Sequence, residues 1–126
     1  MMLDILNVLK SNSRLLQLVG GTKADSRIYA RHTDYLGNCI IYDEYTTAAN
    51  KITENTRLTV TIVADKISLV HSIEEEIKRS ILTLADKPLT NNILQVEVNG
   101  GGSLYDYDRQ KHHRTLYFTV ITRSEI

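Results

Sequence analysis

The sequence has little cysteine, little proline, no net charge and no long apolar run. The single cysteine, Cys39, excludes an internal disulfide and fits a reducing compartment. The 15 basic and 15 acidic residues cancel, so no global field draws the chain to nucleic acid or to an anionic membrane. No apolar run approaches the roughly 20 residues that cross a bilayer, and Asp4 stands where a secretory signal carries bases. We therefore expect a soluble protein made in a cytoplasm.

Length and patterning predict one domain spanning residues 1–126, because the chain shows no internal repeat, low-complexity tract or linker. A helix is predicted over residues 3–19, broken near Ser11-Asn12-Ser13 and ended by Gly20-Gly21. Apolar periodicity predicts the remaining elements. In chain order these are a short extended piece at 28–30, a strand at 39–45, a loop at 46–55, a strand at 57–65, a helix from Asp65 or Ser68 to about Asp86, and strands at 93–98 and 114–122.

The predicted fold class is α+β, with a mostly antiparallel sheet of four or five strands packed against two helices in the order α-β-β-α-β-β. The second helix has one apolar stripe, which we assign to the core. Its charged face offers Glu74 to Lys78 and Glu75 to Arg79 at the i,i+4 spacing of helix ion pairs. The stripe consists of Leu69, Val70, Ile73, Ile77, Ile81 and Leu84.

The stretch from Asn92 to Thr122 predicts a long C-terminal β-hairpin. Leu116, Phe118 and Val120 alternate with polar residues, as a strand with one face on a core requires. Asn99-Gly100-Gly101-Gly102 supplies the conformational freedom for a reversal or a bulge. We expect the connector between the two strands to be mobile or to project from the body.

No group of residues predicts a catalytic, cofactor or metal site. Cys39 together with one of the four histidines, His32, His71, His112 and His113, has the residue types of a nucleophile and base, but a buried cysteine is commoner. His112 and His113, beside Asp106 and Asp108, have metal-ligand chemistry, yet adjacent residues of a strand point to opposite faces. The glycine-rich segment lacks the Lys-Ser/Thr of a phosphate-binding loop.

The end of the hairpin combines tyrosines with both charge signs. Tyrosine and arginine are favoured anchors of protein interfaces, so protein contact is preferred over a solvated loop or nucleic-acid binding. The mixed face of the sheet, with Tyr117, Thr119 and Ile121, suits a subunit interface or a second layer. The predicted subunit or partner interface consists of Tyr105, Asp106, Tyr107, Asp108, Arg109, Lys111, His113, Arg114 and Tyr117.

The order of elements, with Arg27-Ile28-Tyr29, Ile40-Ile41-Tyr42, an acidic tyrosine turn at 104–108 and an alternating strand at 113–120, resembles the tail completion or tail terminator proteins of tailed bacteriophages and prophages. The resemblance implies a non-enzymatic ring, usually a hexamer, in the virion at the junction of tail and head. The ring would stop growth of the tail tube and contact the tube protein and the head connector, and DNA would pass through it without sequence-specific binding.

For such a ring we hypothesise that residues 105–114 project towards a neighbour and that the strand face with Tyr117, Thr119 and Ile121 receives them. The alternative is a small ligand-binding or regulatory α+β domain of a bacterial cytoplasmic protein that uses the sheet face as its pocket. Neither hypothesis calls for a cofactor or a membrane.

Overall fold

The computed structural model describes residues 5–22, 25–31, 33, 35, 37–49, 52–86 and 93–123. Helices α1 and α2 precede a five-stranded sheet, and α3 is inserted between its third and fourth strands in chain order. The elements are α1 (Ile5–Lys10), α2 (Ser13–Val19), β1 (Ile28–Ala30), β2 (Cys39–Ala49), β3 (Thr53–Ala64), α3 (Ile67–Leu82), a 3-10 turn (Thr83–Asp86), β4 (Ile93–Asp106) and β5 (Lys111–Arg123).

The strands lie side by side in the order β1-β2-β3-β5-β4. All neighbours are antiparallel except β1, which runs parallel to β2 along Ile40–Tyr42. The α+β class and the C-terminal hairpin are therefore as predicted. The predicted order α-β-β-α-β-β is wrong in its first half, because the short extended piece at 28–30 is a paired strand and the first helix is two helices.

The break between α1 and α2 is built by Asn12. Its side-chain oxygen accepts a hydrogen bond from the Leu15 amide at 3.1 Å, the geometry of an N-cap. Its side-chain nitrogen donates to Ser80 Oγ of α3 at 2.9 Å. Gly20 ends α2 in the left-handed conformation, with φ of 76°. The predicted break and stop are confirmed, and the same asparagine joins the N-terminal helices to α3.

The described helices pack on one face of the sheet, where alternate residues of the two central strands are fully buried. The stripe of α3 lies against them, with Val70, Ile73, Ile77 and Ile81 buried and Leu69 and Leu84 partly buried. Each such apolar side chain contributes about 1.5–3 kcal/mol relative to exposure. The buried strand residues are Leu58, Val60, Ile62, Leu116, Phe118 and Val120.

The intervening residues of β3 and β5 form the other face, which we call the open face. At the centre of this face they are half-buried and hydroxyl-bearing, and the Thr61 and Thr115 hydroxyl oxygens lie 3.3 Å apart across the two strands. This mixed character is the one expected from the alternation. The open face is centred on Thr59, Thr61, Thr115, Tyr117 and Thr119.

The loop predicted at 46–55 is wrong, because β2 extends to Ala49 and β3 begins at Thr53. Thr46 pairs with Thr56, and the Thr46 hydroxyl donates to Glu54 Oε1 at 2.9 Å. Threonine has high strand propensity once a neighbouring strand supplies a partner. The end of the β2–β3 hairpin could therefore not be predicted from its small polar residues, which show no apolar alternation.

Helix α3 starts differently from the prediction. Lys66 occupies the N-cap position without a side-chain cap bond, so neither Asp65 nor Ser68 caps the helix. Asp65 instead pairs with Asn38, whose Nδ2 donates to Asp65 Oδ1 at 3.2 Å and whose Oδ1 accepts from the Asp65 amide at 3.1 Å. This pair holds the start of β2 against the end of β3.

The predicted ion pairs of α3 are half correct. Glu74 and Lys78 pair at 2.8 Å, as the spacing indicated. The ion pair of Arg79 is with Glu76 at 3.1 Å, at the i,i+3 spacing, because Glu76 is buried and needs a cation nearby.

Candidate interaction surfaces

The connector of the C-terminal hairpin is a four-residue turn that extends past the end of β3, which agrees with the expected projection from the body. Strand β4 continues through the glycines to Asp106, which pairs with Lys111, and the turn occupies residues 107–110. Asp106 Oδ1 accepts from the amides of Asp108 at 3.1 Å and Arg109 at 3.3 Å. Gln110 completes the turn with φ of 56°. An aspartate that bonds to the backbone two and three residues ahead fixes the turn locally.

Two tyrosines and one histidine cover this turn, and we call residues 105–110 with His112 the hairpin end. The Tyr105 and Tyr107 rings meet edge to face with centroids 5.0 Å apart, and Tyr105 meets His112 at 4.8 Å. Tyr107 is 84% exposed. An aromatic side chain that is held in place yet exposed loses little entropy on binding, which favours an anchor at a protein contact.

The basic residues between Arg109 and Arg114 do not lie together, because strand alternation in β5 sends their side chains to different faces. Arg114 lies on the helix-covered face, where its Nε bonds to Glu74 at 2.9 Å and an Nη donates to Ser103 Oγ at 3.2 Å. Lys111 Nζ donates to Asn38 Oδ1 at 3.3 Å. These contacts tie the hairpin to α3 and to the start of β2. Arg109 is left as the exposed cation of the turn.

The adjacent histidines point to opposite faces, as predicted for neighbours in a strand. His112 pairs with Ala64 of the covered face, and His113 pairs with Val63. The Nε2 atom of His113 is enclosed and has no hydrogen-bond partner within the described ranges. Among the residues that the structure describes, no group of three or more histidine, cysteine, aspartate or glutamate side chains could hold a metal ion.

Cys39 does not meet the requirements of a nucleophile. Its side chain is 1% exposed, and burial raises the pKa of the thiol although Lys111 acts in the opposite direction. The reactive thiolate is therefore disfavoured at neutral pH. His71 lies exposed on α3, and His113 is separated from Cys39 by strand β3. The fourth histidine of that hypothesis, His32, lies outside the described residues.

The glycine segment 99–102 lies inside β4 and forms a bulge. The pairing with β5 shifts between Val98 and Gly101, and Gly100 has φ of 107°, where other residues are strained. A Cβ atom on Gly101 would lie 2.5 Å from the Thr115 carbonyl oxygen. Of the two roles predicted for the glycines, the bulge is correct and the reversal is wrong.

Beyond β5, strand β4 forms the edge of the sheet and is exposed along most of its length. Leu94 is 38% exposed, Val98 43% and Leu104 63%. Single exposed apolar residues are common, but three along one edge strand mark a surface suited to a partner. No interface was predicted in the first half of this strand.

The open face carries a cation between two tyrosines. The Arg57 guanidinium lies 4.9 Å from the centre of the Tyr117 ring, and it donates to the Tyr45 hydroxyl at 3.4 Å. Such an arrangement holds the exposed arginine and Tyr117 in fixed positions. Tyr117, predicted as an interface residue, is therefore at the centre of the face with its ring half-buried.

Two clefts lie away from the centre of the open face. One, of about 540 Å³, lies between the break of α1 and α2 and the end of α3, where Asn12, Arg79 and Thr83 line it. The other, of about 250 Å³, lies between the start of α3 and the hairpin, beside Ile67 and Tyr105. The alternative function requires a ligand pocket on the sheet face, and neither cleft meets that requirement. No helix among the described residues has the length and apolarity of a bilayer-crossing span.

Comparison with known proteins gives a structural match only. No family model matches the sequence, and no curated protein matches it. Among solved structures, a chain of the virion of a native gene transfer agent particle is similar, with a TM-score of 0.69 and 8% sequence identity. The match covers 95% of this chain and 92% of that chain. The two chains therefore share one fold over nearly their whole lengths.

Proposed function

We propose that this chain is a structural subunit of a tailed phage, a prophage or a phage-like particle. The observation that carries the proposal is the fold shared with a chain of a virion over almost the full length of both. The resemblance of the sequence to tail completion proteins supports the same class independently, because it rests on short motifs and the other observation rests on backbone geometry.

Within that class, the finer proposal is a ring at the head-proximal end of the tail tube, which stops tube growth and joins tail to head. A ring requires two different surfaces on each subunit and, for this position, further surfaces for the components stacked above and below. The hairpin end, the open face and the edge of β4 are available for these contacts. The zero net charge of the chain does not oppose close packing of identical subunits.

The hairpin end suits the contact with a stacked component better than the contact with a neighbouring subunit. Strand β5 pairs with β3 as far as His112 and Ala64, so the turn at 107–110 extends past the end of the central sheet. Tyr107 and Arg109 are the exposed anchors there, and Lys111, His113 and Arg114 support the hairpin from within the sheet. We propose that the turn contacts the tail tube protein or the head connector. Tyr117 stays a candidate for a subunit or partner contact.

The test is the mass of the purified chain by light scattering, alone and after mixing with polymerising tail tube protein from the same gene cluster. We expect a ring of about six copies, formed either alone or on tube ends, and tubes that stop growing. A chain that stays monomeric and leaves tube growth unchanged would contradict the proposal.

A variant separates the role of the turn from ring formation. Replacing Tyr107 and Arg109 by serine should abolish tube capping and leave the oligomeric mass unchanged, because neither side chain supports the core. Arg14→Ser, which removes an exposed cation on α2, is the matched control and should cap tubes normally. Equal capping by both variants would remove the turn from the proposed contact.

A further inference from the structure

Strand β4 is a long sheet edge that lacks two of the residues that usually prevent pairing, proline and lysine. It runs for 14 residues from Ile93 to Asp106 and contains neither proline nor lysine. No described strand lies on its outer side. An edge of this kind presents its backbone amides and carbonyls to any strand that can lie alongside. Its bulges leave a regular stretch of pairing with β5 from Gln95 to Val98.

The opposite side of the sheet has a second edge, because β1 is short. It has three residues and pairs with β2 only along Ile40–Tyr42. Farther along β2, from Tyr45 to Ala49, β3 is the described neighbour on one side and no described strand lies on the other. The sheet thus has an edge on each side, which we call the β2 edge (Tyr45–Ala49) and the β4 edge (Gln95–Asn99).

The two edges lie at the same level of the sheet. Following the pairing across it, Tyr45 lies opposite Arg57, Arg57 opposite Thr119, and Thr119 opposite Glu97. The part of β2 covered by β1 is level instead with β4 beyond its glycine bulge. If a second copy is placed beside the first at the same level along the strands, its β2 edge therefore lies next to the β4 edge of the first copy.

The directions of the strands would make the pairing of the β2 edge with the β4 edge antiparallel. Each of the strands β2, β3, β5 and β4 is antiparallel to its neighbour, so β2 and β4 run in opposite directions. If copies are related by rotation about an axis along the strands, each β4 lies next to an oppositely directed β2. A sheet with four alternating strands repeats without a break in this pattern.

Apolar side chains flank both edges at this level. Tyr45 is 50% exposed on the β2 side, and Leu94 and Val98 are 38% and 43% exposed on the β4 side. The fold does not bury these groups. Pairing of the two edges would cover part of these side chains and would pair the backbone amides and carbonyls of both edges.

We infer that the β4 edge of one copy pairs antiparallel with the β2 edge of the next copy, so that the sheets are continuous around the assembly. The inference rests on the proposed function and specifies how subunits of the ring are joined. The occupant is a second copy, because the chain itself carries both edges, at one level and in opposite directions.

The experiment is disulfide cross-linking in a Cys39→Ala background, which removes the native thiol. Glu97→Cys on the β4 edge is combined with Tyr45→Cys on the β2 edge, because the two positions lie at the same level of the sheet. Paired positions on neighbouring strands lie within the Cα separation that a disulfide tolerates. The control pair is Leu104→Cys with Tyr45→Cys, because Leu104 lies on β4 at the level of His113, away from the β2 edge.

We expect oxidation to give a ladder of covalent multimers for an edge pair and none for the control pair or for either single cysteine. Cross-linking by Glu97→Cys alone would indicate a β4–β4 dimer and would overturn the inference. An oligomer seen by light scattering without edge cross-links would overturn it too, while leaving the proposed ring intact. A chain that stays monomeric both alone and in the presence of tail tubes would contradict both.

A second pair of variants does not depend on disulfide chemistry. Val98→Lys places a charge on the β4 edge, as natural edge strands do to prevent pairing, and should weaken association on the order of tenfold or more. Leu104→Lys adds the same charge to the same strand beyond the bulge and should leave association unchanged. Equal association of the two variants would overturn the inference even where both fold normally.

Discussion

Strands β5 and β4 are neighbours in one hairpin, yet the fold uses them differently. The alternate residues Leu116, Phe118 and Val120 of β5 are no more than 1% exposed beneath the helices. The apolar residues Val98 and Leu104 of β4 are 43% and 63% exposed. The fold buries these apolar residues of β5 and leaves Val98 and Leu104 of β4 exposed in the monomer. Apolar side chains that the core does not need are the ones to examine for assembly.

Truncation of one side chain in each strand tests the difference between β5 and β4 with the largest expected effect. Phe118→Ala should destabilise the chain by about 3–5 kcal/mol, because it opens a cavity in the buried face. Leu104→Ala should change stability by less than about 0.5 kcal/mol, because the side chain is mostly solvated. Denaturant unfolding of the two variants measures both values. Similar losses of unfolding free energy at the two positions would mean that the Leu104 side chain is part of the core.

The glycine bulge gives the next largest effect. Gly101→Ala should destabilise by about 1–3 kcal/mol, because the new Cβ would meet the Thr115 carbonyl oxygen and force the hairpin strands apart. Gly102→Ala is the matched control, since no atom lies within 4 Å of the position of its Cβ. Thermal unfolding of the pair measures the difference. If Gly101→Ala is as stable as Gly102→Ala, the bulge is not the reason for glycine.

The link between the N-terminal helices and α3 is tested by Asn12→Ala. Loss of the cap and of the bond to Ser80 should cost about 1–2 kcal/mol. Ser13→Ala, at the neighbouring exposed position, is the control and should be close to neutral. Chemical denaturation measures both, and equal stability of the variants would show that the break needs no cap.

The contact between the hairpin and α3 has the smallest expected effect and depends on pH. Burial raises the pKa of Glu74, but hydrogen bonds and charges from Lys78 and Arg114 outweigh it and lower the pKa below 4.5. A carboxyl with a lowered pKa stabilises the folded state above its ordinary pKa, and this stabilisation is lost as pH falls through the lowered value. The free energy of unfolding of wild type should therefore be higher than that of Glu74→Gln by up to about 1 kcal/mol at neutral pH.

That difference should shrink as the pH falls below 4.5, which unfolding experiments across the acidic range will measure. Glu75→Gln removes an exposed carboxylate one position along α3 and controls for the loss of charge alone. A difference between wild type and Glu74→Gln that is constant with pH would exclude the ion pair as its source.

The elements that alternation or helical periodicity marks could be predicted from the sequence. The apolar positions of β5 and the stripe of α3 specify both the element and its buried face, because one period fits each. The break at Asn12 was also visible, since three residues that compete for backbone hydrogen bonds stand together. These features depend on local sequence.

The features that were missed depend on contacts between distant parts of the chain. Strand β1 has three residues and is defined by its parallel partner β2. The end of the β2–β3 hairpin carries small polar residues, whose strand conformation follows from pairing. The run through Gly101 resembles a loop because glycine is disfavoured in strands, and only the pairing with Thr115 and Leu116 shows a bulge.

The interface prediction from sequence selected residue types and could not distinguish their directions. Alternation in β5 sends Arg114 towards Glu74 and leaves Arg109 in the turn, although both belong to one basic stretch. The β4 edge was not predicted as an interface, because an edge is a property of the whole sheet. The signal available in the sequence was the apolar character of Leu94 and Val98 in a strand without lysine or proline.

We infer that the β4 edge (Gln95–Asn99), with the exposed side chain of Val98, joins identical copies in a virion. The most direct test is the solution mass of wild type, Val98→Lys and Leu104→Lys by light scattering over a range of concentrations. We expect wild type and Leu104→Lys to form the same closed oligomer, alone or on tail tubes, and Val98→Lys to dissociate towards the monomer. The same mass for all three proteins, or a wild type that stays monomeric both alone and with tail tubes, would contradict this inference.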